Sequence, residues 1–490
     1  MPKLKYFDLI IRKGTVIDGT GAPRKLADIG IVENRIIEIG DLHDAESSKV
    51  INANGLIVSP GFIDVHTHDD NLIFTDPSMA PKTTQGVTSV IVGNCGISLA
   101  PLKLNNKTPP PPQDLLGGAD CYKFDTFQSY VNTIKSFPPA TNIGFLAGHG
   151  TLRLCAMHET NKVANTKEIE KMQEILFEAM NAGALGISTG LIYGPNKKAT
   201  LEEISLVSEV AALNGGIYTT HMRDEGDNII EAMDEAFAVG SNINIPVVIS
   251  HHKCVGTKNY GKSSITLSKI CSQQEKRAVS LDAYPYTAAS TVILPEMVLS
   301  SEKVVITWSK TMPQFAGQDL EDICQQLGCD LIEAAKSLMP GGAIYFMMNE
   351  EDVQRILKFP DTMIGSDGLP HDKHPHPRLW GTFPRVLGHY SRDIKLFKLE
   401  EAIHKMTGLS ASRFQIKDRG FIRKGAYADI VIFDSEKIID SATFTDPIQS
   451  AKGIIMVLVN GKVIRENGID TDARPGEVIL RDERSNNQLI

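Results

Sequence analysis

The sequence predicts an α/β chain built as a (β/α)8 TIM barrel, with a small β-sandwich domain made from both chain ends and a segment inserted after the seventh barrel strand. Three observations predict it. Short apolar runs of β type recur through the middle of the chain, at 61–68, 87–95, 142–149, 184–190, 216–221, 246–251, 278–286 and 362–367. Among the segments between them, 167–182, 201–214, 228–242 and 399–413 carry apolar residues at helical spacing, with Asn181-Ala182-Gly183 and Asn214-Gly215 as stops. Both chain ends have a different texture, of short β-rich runs broken by Gly and Asn, with no helix long enough to cover a parallel sheet. A doubly wound sheet is the alternative, but its first strand should open a Gly-rich phosphate loop, and His66-Thr67-His68 is not one.

In chain order, the first β-rich runs are 8–12, 15–19, 28–32 and 35–39, punctuated by Gly19, Gly21, Gly30 and Asn34. The C-terminal counterparts are 428–434, 454–459 and 462–464, the last entered through the hairpin dipeptide Asn460-Gly461. These ends are expected to pair into one domain, 1–60 with 415–490, around a catalytic barrel at 61–414. After the second barrel strand the run Pro109-Pro110-Pro111-Pro112 predicts a stiff surface excursion over 105–118. The stretch 287–347 is too long for one crossover and is expected to form an inserted lid or subdomain.

Composition narrows the class. With 42% hydrophobic residues over 490 positions the chain can bury a large core, and a net charge of −9 with a pI near 5.8 argues against a nucleic-acid partner. The apolar run Leu9-Ile10-Ile11, flanked by Asp8 and Arg12, is far shorter than the ~7–15 residues of a secretory signal or the ~20 of a spanning helix. Seven cysteines without a C-x-x-C pair fit a reducing compartment, so the expected location is cytoplasmic, with no membrane partner.

In a barrel the C-terminal ends of the strands converge on one mouth, so residues distant in sequence can share a metal. The first strand offers His66 and His68, the second Cys95, the fifth His221, the sixth His251 and the eighth Asp367. Imidazole and thiolate are good Zn2+ ligands, and a three-ligand site leaves a position open for water. A single His is usually just a satisfied polar group; this set carries weight because its members end successive strands. Cys95 lies in Gly93-Asn94-Cys95-Gly96, where the glycines let backbone approach closely. His149, ending the third strand, is expected to support the ligands from behind. Asp367 is the carboxylate that could take a proton from water and later deliver it to a leaving nitrogen.

The segments carrying these residues resemble those of the N-acyl-D-amino-acid deacylases, the D-aminoacylase family of the amidohydrolase superfamily. They are Gly61-Phe-Ile-Asp-Val-His-Thr-His68, Gly93-Asn-Cys-Gly96, Gly148-His-Gly-Thr151, Ser188-Thr-Gly-Leu-Ile-Tyr-Gly-Pro195, Thr220-His-Met-Arg-Asp-Glu225, Ser250-His-His-Lys253, Asp282-Ala-Tyr-Pro-Tyr286, Gly365-Ser-Asp367 and His376-Pro-Arg378. The resemblance implies a zinc held tightly by Cys95, His221 and His251, and a weaker second position at His66, His68 and Asp367. Hydantoinases and dihydroorotases use a carboxylated lysine at the end of the fourth strand; here 184–190 contains none, and Cys95 would replace it. It also implies an N-acyl-D-amino acid as substrate, with its free carboxylate gripped by the Arg378 fork. Lys253 would add a cation at the mouth, Tyr284 and Ser290 neutral donors, and Tyr193 a donor to the developing oxyanion. Val292, Ile293, Leu294 and Met297, in a stretch without Lys or Arg, favour an apolar side-chain pocket. The competing readings are a cyclic-amide hydrolase of hydantoinase or dihydroorotase type, and a non-catalytic scaffold that would have lost ligands.

Overall fold

Eight parallel strands run around one sheet: Phe62–Asp64, Val87–Val92, Asn142–Gly148, Gly186–Gly190, Ile217–His221, Val247–Ile249, Val279–Ala283 and Thr362–Ile364. They are the eight expected from the sequence, in that order, in a computed structural model that describes residues 6–105 and 107–481. Every residue of these strands is buried, because a parallel sheet has helices on one side and the packed barrel interior on the other. One buried cluster gathers Ile63, Ile91, Leu146, Leu185, Ile217, Val248 and Met363 with Phe414, Ile416 and Ile479. The interior is therefore filled, and the chemistry is left to the strand ends.

The helices start where local hydrogen bonding allows. Helix Thr166–Asn181 opens on a capping box between Asn165 and Glu168 and stops before Gly183, whose φ is +97°. Helix Leu201–Leu213 opens on the Thr200 hydroxyl, which accepts the Glu203 N–H at 3.1 Å. The single helix expected at 399–413 is two, Leu399–Met406 and Gly408–Arg413, broken at Thr407 with φ −134° and ψ −87°. The break turns the chain past a tight contact: a Cβ on Gly408 would sit 2.1 Å from the Gly19 carbonyl oxygen. It also sends Ile403 and Met406 to the main core and Leu409 and Phe414 to the barrel interior.

Both chain ends share a nine-stranded sheet, joined where Ile57–Pro60 pairs antiparallel with Ile430–Phe433. The run expected at 8–12 and the first two residues of that at 15–19 form one strand, Tyr6–Val16, with a register shift between Ile11 and Gly14. The strand Glu46–Asn52 was not expected, because its mostly exposed Ser and Lys positions leave no apolar alternation. Residues 1–5 and 482–490 of the expected end-built domain lie outside the described residues.

Two insertions shape the mouth. The segment after the seventh strand folds as a three-stranded antiparallel sheet, Ala288–Val292, Gly341–Phe346 and Lys303–Ser309, with helices Leu320–Leu327 and Leu331–Leu338. The excursion at 105–118 is a surface loop only in part; residue 106 lies outside the described residues. Its turn Gln113–Leu116 is buried, Leu115 and Leu116 join the core, and the Tyr122 hydroxyl donates to the Gln113 carbonyl at 2.5 Å. The apolar Leu115-Leu116 pair pulls it inward. Among the described residues no helix is long and apolar enough to cross a membrane.

The barrel closes between its first and last strands, where Thr67 bridges Gly368 and the Asp367 N–H donates to the His66 carbonyl at 2.7 Å. Behind this seam lies a fully buried lysine. Lys82 Nζ donates to Asp64 Oδ2 at 2.8 Å and to Ser366 Oγ at 2.7 Å, and the Ser366 N–H donates to Asp64 Oδ1 at 2.8 Å. Burial alone would lower the Lys82 pKa, but Asp64 and Asp69 raise it, so the ammonium stays charged. Lys82→Met should therefore cost about 3–5 kcal/mol by leaving buried carboxylates unpaired. Urea unfolding of the two proteins measures this, and a loss below about 1 kcal/mol, the worth of a surface ion pair, would refute the seam's dependence on Lys82.

Candidate metal centre

Three of the expected ligands sit just beyond strand ends in the left-handed backbone region: Cys95 at φ +54°, His251 at +36° and Asp367 at +48°. Such a conformation costs a non-glycine residue roughly 1–3 kcal/mol and persists where the surroundings enforce it. Around Cys95 the surroundings are glycines. A Cβ on Gly93 would lie 2.1 Å from the Leu146 carbonyl oxygen, and one on Gly190 only 2.0 Å from that of Cys95. Position 190, the last of the fourth strand, is thus closed to a side chain by the backbone of Cys95 itself.

The turns bring the ligand atoms together. Cys95 Sγ lies 3.2 Å from His66 Nε2 and 3.4 Å from His251 Nε2, which is 2.9 Å from His221 Nδ1. Asp367 Oδ1 lies 3.5 Å from His66 Nε2 and 3.3 Å from His68 Nε2. Two donor groups result, Cys95 with His221 and His251, and His66 with His68, Cys95 and Asp367, each with its ligand atoms within 4.8 Å of one another. Cys95 belongs to both. A thiolate with two imidazoles suits zinc, and the mixed set of two imidazoles, a carboxylate and the shared thiolate suits a second divalent ion.

The electrostatics favour the ligand forms of Cys95, His221 and Asp367, whereas His66, His68 and His251 are raised toward their protonated forms by the negative groups around them, protons that a bound metal would displace. Burial pushes the Cys95 thiol up, but His66 and His251 outweigh it and hold the pKa well below the usual thiol range. His66 is correspondingly raised against burial by Asp282 and Cys95. Burial lowers His221, leaving a neutral ring to donate its lone pair. Burial would also raise Asp367, yet Arg378 and His251 keep it well below the carboxylate range.

The residues expected to hold substrate are more entangled than their sequence positions suggest. Arg378 is fully buried, donating from Nη2 to Asp367 Oδ2 and to the Ser290 carbonyl, both at 2.9 Å, while its Nε and Nη1 have no partner. Its guanidinium lies 4.6 Å from the centre of the Tyr284 ring. Lys253, expected as a cation at the mouth, is ion-paired there: its Nζ donates to Glu225 Oε1 at 2.6 Å and to the His251 carbonyl at 2.9 Å. Ser290 Oγ is buried without a partner. Tyr193 stands edge-on to the His221 ring, and its hydroxyl shares a 2.8 Å hydrogen bond with Thr291 Oγ1. His149, expected to support the ligands, instead faces Glu203 Oε1 at 3.2 Å in a buried group with Arg153. It is the first residue of the helix His149–Ala156, directly after the strand end.

The cavity over this centre is lined by Ile192, Tyr193, Leu294 and Met297 on its apolar side and by His221, His251 and Asp367 at its base. Leu294 and Met297 face it as expected, whereas Val292 and Ile293 pack into the core. Sequence reasoning assigned no role to two buried carboxylates. Glu225 Oε1 lies 3.0 Å from His251 Nδ1, and Asp282 Oδ1 lies 3.3 Å from His66 Nδ1. The signals were available: Glu225 is four residues beyond His221, and Asp282 lies in the seventh barrel strand.

Comparison with known proteins gives the following. The profile of the amidohydrolase family matches residues 49–253 and 232–465. The D-aminoacylase of Alcaligenes xylosoxydans xylosoxydans is 48% identical over 97% of this chain and 98% of its own. An N-acyl-D-glutamate deacylase of the same organism is 44% identical over 97% of each. A solved D-aminoacylase structure concerned with the functional role of its binuclear metal centre, one-metal activation and second-metal attenuation, has a TM-score of 0.95 at 49% identity, covering 97% of this chain and 100% of that one. The N-acyl-D-glutamate deacylase of Bordetella bronchiseptica, solved with zinc and a phosphonate mimic of the tetrahedral intermediate, has a TM-score of 0.94 at 42% identity over the same shares.

Because Cys95 belongs to both donor groups, Cys95→Ala should remove metal from both positions at once. Elemental analysis of the purified variant should find zinc reduced to a small fraction of the wild-type content, and equal zinc in the two proteins would refute its place as ligand.

Proposed function

The chain belongs to the D-aminoacylase family of the amidohydrolases, and from that membership we propose that it hydrolyses the amide bond of N-acyl-D-amino acids with neutral, apolar side chains, releasing a carboxylate and a free D-amino acid. The observation that carries this reading is the pair of donor groups sharing Cys95, at a mouth where Gly190 leaves no room for a lysine ligand on the fourth strand. That closure argues against the cyclic-amide hydrolases, whose bridging ligand is a lysine at that point. Zinc on Cys95, His221 and His251, with a weaker position at His66, His68, Cys95 and Asp367, would polarise the scissile carbonyl and lower the pKa of water from 15.7 to about 7.

The remaining work falls to the chain's own side chains. Arg378 keeps Nε and Nη1 buried without partners, and each can donate to a substrate carboxylate, as one half of a fork whose other half is the Nη2 now shared by Asp367 and the Ser290 carbonyl. Asp367 is positioned to take the proton of the attacking water and hand it to the departing nitrogen. The substrate carboxylate also helps Asp367: by sharing the Arg378 guanidinium it weakens the charge that holds Asp367 so acidic, and makes it a better base. The Tyr193 phenol, its pKa pushed well up by burial, keeps its proton and can donate a hydrogen bond to the carbonyl oxygen once it leaves Thr291.

Side-chain preference follows from the other wall. Ile192, Leu294 and Met297 are apolar, and the cation facing the cavity, Lys253, is already paired with Glu225. A second substrate carboxylate would be buried there without a counter-charge. Metal occupancy should follow the relative's pattern, with one equivalent activating and a second attenuating.

Asp367→Asn should lower kcat by about 10^2–10^4-fold, the usual worth of a general acid–base group, while the Cys95–His221–His251 zinc stays bound. Steady-state kinetics with elemental analysis tests this, and an unchanged kcat would remove Asp367 from the chemistry. In competition assays N-acyl-D-leucine or N-acyl-D-methionine should exceed N-acyl-D-glutamate in kcat/KM by about 10–200-fold. A preference for the glutamate substrate would contradict the apolar wall.

A further inference from the structure

Asp282, in the seventh barrel strand Val279–Ala283, touches both halves of the centre although it belongs to neither donor group. It is buried. Its Oδ1 accepts the main-chain N–H of His251 at 2.9 Å, at the residue held at φ +36°. The same carboxylate faces His66 Nδ1, at 3.3 Å from Oδ1 and 3.4 Å from Oδ2. Its carbonyl oxygen accepts the His252 N–H at 2.7 Å, clamping the sixth strand's exit from a second direction. The opposite nitrogen of His66, Nε2, is the one 3.2 Å from Cys95 Sγ.

We propose that Asp282 is a positioning residue coupling the two metal positions, holding the strained main chain of His251 with one oxygen and fixing the His66 ring so that Nε2 is free to bind metal beside Cys95. This rests on the metal centre of the proposed function. An imidazole that donates from Nδ1 to a carboxylate carries no proton on Nε2, and that lone pair is what a metal needs. The two tasks can be separated chemically. In Asp282→Asn the amide oxygen, in the place of Oδ1, still accepts the His251 N–H, while the amide NH2 takes the place of Oδ2, 3.4 Å from His66 Nδ1, so one of the two acceptors facing that nitrogen becomes a donor and the ring proton is pushed toward Nε2. The His66 position is then weakened while His251 keeps its conformation. Asp282→Ala removes both supports.

The test is zinc titration of purified wild-type, Asp282→Asn and Asp282→Ala protein, followed by calorimetry and elemental analysis. In Asp282→Asn the affinity of the second position should fall about 10–100-fold, the range seen when an outer carboxylate of a metal-bound histidine is lost, with the Cys95–His221–His251 position within about threefold of wild type. Asp282→Ala should weaken both. Unchanged affinities in Asp282→Asn, or equal losses at the two positions, would overturn the proposal. If the Asn variant does not fold, cobalt-loaded wild-type protein carries the same test. The His66 Nδ1 proton, shielded by Asp282, should give a paramagnetically shifted, slowly exchanging resonance, and rapid exchange with water would overturn it. A wild-type protein that binds no zinc would sink the metal centre itself, a separate result from either failure at Asp282.

Discussion

The structure depends on one sulfur being held in an unfavourable backbone turn. Cys95 reaches two donor groups only because its main chain adopts φ +54°, and it adopts that angle only because glycines clear the space around it. The carbonyl of Cys95 occupies the volume where a side chain on Gly190 would begin, so choosing a thiolate as the shared ligand and closing the fourth strand's end are one structural fact. Strain of roughly 1–3 kcal/mol per residue is tolerable because each turned residue is fixed by neighbours that cannot relax. His251 is fixed by Asp282 and Asp367 by the seam with His66.

Charge is arranged around that sulfur in layers. Nearest are imidazoles, which draw the thiol toward its ionised form despite burial. Beyond them stand carboxylates that orient the rings, Asp282 at His66 and Glu225 at His251. Beyond Glu225 is Lys253, whose ammonium keeps the buried Glu225 carboxylate ionised. Arg378 does the same for Asp367 and still has unpaired N–H groups to offer. A buried cation that compensates one acid and keeps free donors can exchange partners, which in the proposed function would join substrate capture to the basicity of Asp367.

The inserted sheet is part of the site. Its first strand, Ala288–Val292, supplies the carbonyl that anchors Arg378, the unpartnered Ser290 hydroxyl and the Thr291 that holds Tyr193. Leu294 and Met297 follow directly and face the cavity. One wall of the cavity is thus carried on a segment outside the barrel repeat, apart from the strand ends that bear the two donor groups.

The sequence by itself determined the barrel and which residues meet at its mouth. Period and punctuation separate eight buried runs from the helices and from the β-rich ends, and residues placed at strand ends must meet at one mouth whatever lies between them. Hence Cys95, His221, His251, His66, His68 and Asp367 were legible as a set. What only the tertiary structure decided is how side chains pair across the mouth, since pairing depends on distance in space and leaves no period in the chain. Lys253, expected as a cation at the mouth, is held there by Glu225, a partner the sequence did not name; His149, expected behind the ligands, faces Glu203. The split at Thr407 and the burial of Gln113–Leu116 were hidden for a related reason: apolar spacing says that a segment will be buried, but not against which surface.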